Sequence, residues 1–166
     1  MFCVLLTCAA GKQALHRVAV FLHCAADMRT AADLDRIAYE IRGCGLRVHR
    51  KVGPGCFESA YSPCLAYELT KSKLEFRSEV SLTLCYETIV VRDAYIADYL
   101  IEGCIVGELK AMAQLAPIHY RQMDTYLTIT GYPLGLLLNF GALRFFDGVV
   151  RRVNNFPHGT PPYRQE

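Results

Sequence analysis

The sequence lacks the patterns that mark zinc-stabilised and membrane-spanning chains. Its 166 residues include 8 cysteines, but none of them forms a C-x-x-C pair or a Cys/His cluster with zinc-ligand spacing. No apolar run reaches the ~18 residues that a membrane helix needs. The formal net charge is only +2, which neither supports nor excludes a nucleic-acid partner, because a local basic patch matters more than the sum. We therefore expect no structural zinc and no membrane partner.

Composition and cysteine placement indicate a cytoplasmic globular protein. Hydrophobic residues make up 52% of the chain and charged residues 20%, which is enough apolar surface for one domain with a core. The cysteines fall at apolar positions and are predicted to be buried free thiols, which suits a reducing compartment. A small secreted protein with disulfides is the alternative, and the absence of a basic leader argues against it.

Two terminal segments are expected to lie outside the core. Residues 1–30 hold two short apolar runs, "MFCVLLTCAA" and "VAVFLHCAA", and three interpretations compete: a weak export signal, an extra helix, or an upstream extension from a misassigned start codon. We favour the third, because Met28 opens a normal domain beginning. Residues 155–166 are rich in proline and polar residues and are predicted to form a flexible tail, which leaves 31–154 as the domain.

The first part of that domain has the period of helices. From Asp33 onward, apolar residues recur at spacings of three and four and form one stripe: Leu34, Ile37, Ile41, Cys44 and Val48. The turn "KVGPG" ends this helix. A second helix should begin with Gly55 as N-cap and Glu58 at the third helical position, and Pro63 should kink it. Its predicted apolar face consists of Phe57, Ala60, Tyr61, Cys64, Leu65 and Leu69.

The period then changes to that of strands. Four apolar residues alternate with small or polar ones: Val80, Leu82, Leu84 and Tyr86. Two strands follow in "DAYIADYLI" and "CIVGELKAM", then a helix in "PIHYRQMDTYLTIT", a buried strand in "PLGLLLNF" and an edge strand in "RFFDGVVRRVN". This order predicts an α/β sandwich in which helices cover a mixed sheet.

Two charges lie in one of the apolar strands. Glu108 and Lys110 are two residues apart in "IVGELKAM", so both side chains point to the same face. A three-residue loop containing Gly103 would place Asp98 opposite Glu108, with the Cβ atoms about 5 Å apart. Carboxylates that close repel each other unless a cation lies between them or one is protonated. The three charged residues thus suit magnesium-assisted phosphodiester hydrolysis, with Lys110 beside the attacking water.

Simpler interpretations compete for these residues. Glu108 and Lys110 alone also fit a structural salt bridge, which is a common arrangement. Glu58 in a first helical turn complements the helix dipole. The third helix carries a polar stripe that is more typical of a solvated face than of a site: His119, Gln122 and Tyr126.

Together these segments resemble the GxxExxY proteins. The motif is "GCFESAY", with Gly55, Glu58 and Tyr61 in the fixed places. It is accompanied, in order, by "VHRKVGPG", "CLAYEL", "IADYLIEGCIVGELKAM", "HYRQMDTYL" and "GLLLNFG", so the resemblance runs from about Asp33 to Asn154. That family belongs to the PD-(D/E)XK nuclease superfamily. The resemblance therefore implies a restriction-endonuclease-like core, with a mixed sheet of four to five strands flanked by helices.

The resemblance also implies an active site and an activity. Five residues match catalytic positions of the superfamily: Glu58, Asp98, Glu108, Lys110 and Gln122. The implied metal is Mg²⁺ or Mn²⁺, which Asp98, Glu108 and the main-chain carbonyl of Leu109 would ligate. Glu58 would bind a second ion or a metal-bound water. The implied activity is metal-dependent hydrolysis of phosphodiester bonds in DNA or RNA.

A catalytically silent module that binds nucleic acid or protein is the alternative, because the superfamily contains both kinds. The intact set of Asp98, Glu108 and Lys110 favours the enzyme. Two basic clusters could bind phosphates and otherwise serve as solubilising charge: Arg47, Arg50 and Lys51, and Arg151 with Arg152. The sequence leaves open the choice between DNA and RNA and the oligomeric state, a homodimer included.

Overall fold

The computed structural model describes residues 29–157. The predicted leader, apart from its last two residues, and most of the predicted tail lie outside this range. Within it the elements follow in this order: α1 (Ala31–Val52), α2 (Glu58–Lys71), β1 (Phe76–Tyr86), β2 (Ile89–Ile101), β3 (Ile105–Lys110), α3 (Pro117–Thr130), β4 (Leu134–Asn139), a 3₁₀-helix (Phe145–Gly148) and β5 (Val149–Val153). Among the helices of this range, none combines the length and apolarity needed to cross a membrane.

The five strands form one mixed sheet in chain order. β1, β2 and β3 are antiparallel neighbours, β3 and β4 are parallel, and β4 and β5 are antiparallel. A parallel pair needs a crossover connection, and α3 supplies it. β3 and β4 are buried almost throughout, because helices cover the sheet on both faces. The predicted α/β architecture with a mixed sheet of four to five strands is confirmed.

The core has two layers, one on each face of the sheet. On one face, the predicted stripe of α1 is buried with Tyr61, Leu65 and Leu69 of α2. On the other face, α3 packs Met123 and Leu127 against the sheet. The periodicity of α1 therefore predicted its buried side correctly, since every residue of the stripe is at most 2% exposed.

The start of α2 differs from the prediction. The N-cap is Phe57, with Glu58 as the first helical residue, and the helix continues through Pro63. Gly55 has a φ of 111°, whereas an N-cap residue needs extended backbone with negative φ. The hydroxyl of Tyr61 donates to Gly53 O at 2.7 Å and accepts from the amide of the residue before Phe57 at 3.1 Å. This contact holds the preceding segment as a turn, so the helix begins after it.

Two further predictions for this region are wrong in part. Phe57 is 86% exposed and Ala60 is exposed as well, so neither belongs to the buried face of α2. None of the described cysteines forms a disulfide. Cys44 and Cys104 are buried as predicted, but Cys64 and Cys85 are only half-buried, and Cys56, in the turn before α2, is exposed.

Candidate active site

The hairpin between β2 and β3 sets the register of the site. Ile101 pairs with Ile105, which leaves a three-residue loop whose central residue, Gly103, has the left-handed φ of 63°. Tyr99 pairs with Gly107 as the last pair of this ladder, and the same register continued by one residue would place Asp98 opposite Glu108. The predicted three-residue loop is confirmed.

Glu108 is a buried carboxylate with one unpartnered oxygen. Its Oε1 accepts a hydrogen bond of 2.7 Å from the Lys110 ammonium, while its Oε2 is buried and has no hydrogen-bond partner in the described structure. The Glu108 side chain is 3% exposed and that of Lys110 is 12% exposed. Because a buried oxygen without a partner is costly, this atom needs an explanation beyond a simple ion pair.

Asp98 is fixed by the backbone of the neighbouring strand. Its Oδ2 accepts a hydrogen bond of 2.7 Å from the amide of Leu109. Neither Glu79 nor Asp98 is a paired position of the ladder between β1 and β2, and Glu79 has a φ of 52°. The register is the same on either side of these two residues, because Ser78 pairs with Tyr99 and Val80 with Ala97. Here the interruption coincides with the candidate acid of β2.

The electrostatics of the two acids favour a cation between them. Burial, and after it the charge of Asp98, raises the pKa of Glu108 to about 7 against the opposing effect of Lys110. Burial also raises the pKa of Asp98, against the Leu109 amide and Lys110. Both carboxylates are thus held in an environment that penalises their charged forms, and a cation would relieve that penalty.

Glu58 lies at the rim of this group. Glu58 is exposed at the first turn of α2. Partial desolvation raises the pKa of its carboxyl, the charge of Lys110 lowers that pKa, and the charge of Asp98 raises it. The helix start therefore brings Glu58 into the electrostatic range of the strand residues. Within residues 29–157, however, no group of three or more His, Cys, Asp or Glu side chains is arranged to hold a metal ion.

The polar stripe of α3 is not a solvated face, because Tyr126 is buried and His119 and Gln122 are half-buried. Gln122 Nε2 donates to the hydroxyl of Tyr126 at 2.6 Å, and that hydroxyl donates to Ile96 O at 3.1 Å. Tyr126 is 2% exposed, and burial followed by the charge of Glu108 raises its pKa to about 12. His119 lies at the helix start, where its Nδ1 accepts from the Ala116 amide.

The predicted basic clusters are largely engaged in ion pairs. Arg47 Nε and Lys51 Nζ bind the buried carboxylate of Glu68 at 2.6 and 3.0 Å. The two arginines of β5 are paired as well: Arg151 with Asp35 and Arg152 with Asp124, each at 2.6 Å. These cations neutralise acids of their own chain, so they are weaker candidates for phosphate contacts than the sequence indicates.

Two residues near the site have no site role in the sequence analysis. The charge of Glu79 raises the pKa of Asp98, and the charge of Glu108 raises the pKa of Tyr126, whose hydroxyl accepts from Gln122. Glu79 could be found only from the pairing of β1 with β2. Tyr126 could be found from its spacing of four from Gln122, once the helix is known to pack on the sheet.

The five-stranded mixed sheet flanked by helices is consistent with a restriction-endonuclease-like fold. A family model described as the PD-(D/E)XK nuclease superfamily matches residues 35–153. No curated protein and no solved structure matches the chain. The chain belongs to the PD-(D/E)XK nuclease superfamily, and its assignment to the GxxExxY proteins within it stays a prediction.

Proposed function

We propose that this protein is a metal-dependent nuclease that hydrolyses phosphodiester bonds of DNA or RNA through Asp98, Glu108 and Lys110. The observation that carries the proposal is the buried, unpartnered Oε2 of Glu108 beside the charge of Asp98. A bound metal cation would stabilise such a buried, unpartnered carboxylate oxygen.

The donor set fits a hard divalent cation such as Mg²⁺ or Mn²⁺. Mg²⁺ sites commonly use one or two carboxylates, with substrate phosphate and water completing the shell. Asp98 and Glu108 provide two such carboxylates, which is sufficient without a third acid. The main-chain carbonyl of Leu109 would be a further ligand. Glu58, at the rim of the site, would bind a second ion or a metal-bound water. When bound, the cation would neutralise phosphate charge and acidify the attacking water.

The remaining roles follow from the positions of the side chains. The ammonium of Lys110 is held at 2.7 Å from Glu108 and stays 12% exposed, so it can donate to a water or to a phosphate oxygen that enters the site. The Leu109 amide fixes the orientation of Asp98. Gln122 donates to the hydroxyl of Tyr126, which lies within electrostatic range of Glu108, and would support the site through that tyrosine.

A catalytically silent binding module is the second candidate. It is supported by the ion pair between Lys110 and Glu108, which satisfies one carboxylate oxygen without any metal. Under this alternative Lys110→Ala leaves a buried carboxylate unpaired and costs about 3–5 kcal/mol of stability, with no metal effect.

Thermal melts and cleavage assays with and without Mn²⁺ separate the two candidates. If the protein is a nuclease, we expect millimolar Mn²⁺ to raise the melting temperature of both the wild type and Lys110→Ala. In the cleavage assay, only the wild type should cut a panel of DNA and RNA substrates. Glu108→Gln loses both the metal effect and cleavage. The control is Lys71→Ala, which removes an exposed lysine of α2. A wild type that ignores the metal and cuts nothing favours the binding module.

A further inference from the structure

Asn139, the last residue of β4, holds the backbone that follows Lys110. Its Oδ1 accepts from the amides of Met112 and Gly141 at 3.0 and 3.1 Å, and its Nδ2 donates to Met112 O at 2.8 Å. Asn139 is 2% exposed and pairs with Lys110 in the parallel ladder. The side-chain amide of Asn139 thus binds both the backbone N–H and the backbone C=O of Met112, which lies two positions after Lys110.

The backbone that follows Asn139 also lies against the backbone of Lys110 and Met112. The amide of Phe140 donates to Lys110 O at 2.7 Å. A Cβ atom on Gly141 would lie 2.4 Å from Met112 O and 2.5 Å from Met112 N, which no real side chain tolerates. The absence of a side chain at Gly141 therefore allows the two chain segments to touch directly beyond the ends of their strands.

We propose that Asn139 is a positioning residue for Lys110, an inference that rests on the proposed nuclease function. Lys110 ends β3, and the six residues before Pro117 form no helix or strand. Strand ends fray unless they are tied down. By binding the backbone of Met112, Asn139 keeps Lys110, the last residue of β3, in the sheet. The Lys110 ammonium is thereby held beside Glu108. Misplacement of a reacting group by about 1 Å can cost up to ~100-fold in rate.

The test combines kinetics with a spectroscopic readout that needs no activity. In Asn139→Ala we expect kcat to fall about tenfold to a hundredfold while KM changes by less than about twofold. In protein labelled with ¹³C-lysine, the Cε signal of Lys110, assigned through Lys110→Arg, moves toward the signals of exposed lysines. The matched control is Asn154→Ala, which removes another bond from an asparagine amide to a backbone carbonyl, Leu127 O at 3.0 Å.

A second variant guards against loss of folding. Asn139→Asp keeps the acceptor for the two amides, and its buried carboxyl, when protonated, can donate its O–H to Met112 O, so it should retain more of kcat than Asn139→Ala. The inference is overturned if a folded Asn139→Ala leaves the Lys110 signal unchanged, or if kcat falls no more than in Asn154→Ala. If the wild type cuts no substrate, the nuclease proposal fails, and the lysine signal still decides whether Asn139 positions Lys110.

Discussion

The carboxylate of Asp98 and the backbone amide of Leu109 are joined by a hydrogen bond of 2.7 Å across β2 and β3. Leu109 lies between Glu108 and Lys110, so this bond ties the acid of one strand to the centre of the Glu-x-Lys segment on the next. The orientation of the candidate metal ligand thus depends on the same hairpin register that pairs Tyr99 with Gly107.

Two substitutions of Asp98 separate the charge from the hydrogen bond. Asp98→Asn keeps an acceptor for the Leu109 amide, so we expect near-wild-type stability with strongly reduced Mg²⁺ or Mn²⁺ binding in calorimetry. Asp98→Ala loses metal binding and also about 1–2 kcal/mol of unfolding free energy, because a part-buried amide loses its partner. The control is Asp93→Asn, an exposed acid on the same strand. Wild-type metal affinity in Asp98→Asn would remove this residue from the ligand set.

Two glycine-to-alanine changes should act in opposite directions. Gly103 has a φ of 63°, and a Cβ added there would meet nothing within 4 Å. Gly103→Ala is therefore strained only in its backbone and should lower the unfolding free energy by about 1–2 kcal/mol. Gly43 lies inside α1, where an added Cβ meets only an Arg47 side-chain atom at 3.5 Å. Gly43→Ala should therefore stabilise by about 0.5–1 kcal/mol. Denaturant unfolding measures both, and equal signs would contradict the assigned backbone conformations.

Removal of one hydroxyl should loosen the turn that leads to Glu58. Tyr61 is fully buried and stacks on Phe140 with ring centroids 4.7 Å apart. Tyr61→Phe keeps this packing but loses the bonds to Gly53 and Cys56, at a cost of about 1–2 kcal/mol. Faster hydrogen exchange of the Cys56 amide should accompany the loss. Tyr67→Phe, at a 64% exposed tyrosine of the same helix, is the control and should change stability by less than about 0.5 kcal/mol.

The Glu68 ion pairs should make stability depend on pH in the acid range. Hydrogen bonds from Arg47 and then Lys51 lower the pKa of Glu68 below its ordinary value of 4.5. A group whose folded pKa is depressed adds stability above its unfolded pKa, and that stability is lost as the pH falls through the folded pKa. Glu68→Gln should therefore cost about 2 kcal/mol at pH 7.

The same variant contains its own check. As the pH falls below 4.5 and through the lower folded pKa of Glu68, the wild-type carboxyl becomes protonated and approaches the neutral side chain of Glu68→Gln. The difference in unfolding free energy between the two proteins should shrink toward zero in denaturant titrations from pH 7 to pH 3. A difference that does not change with pH would show that packing, not the ion pairs with Arg47 and Lys51, explains the effect.

The sequence by itself determined the elements, their order and the central hairpin. The stripe of α1 follows from a spacing of three and four, and the strand face shared by Glu108 and Lys110 follows from a spacing of two. The Asp98 register follows from a short loop with a glycine at a left-handed position. All of these signals are local, because periodicity and turn chemistry act over a few neighbouring residues.

Only the tertiary structure decided which polar groups meet. The burial of Tyr126 depends on how α3 packs on the sheet, and the pairing of Arg47 and Lys51 with Glu68 depends on the contact between α1 and α2. The three bonds of Asn139 depend on the parallel pairing of β3 with β4. These contacts join residues far apart in the chain, and their partners are fixed by packing, which no local pattern encodes.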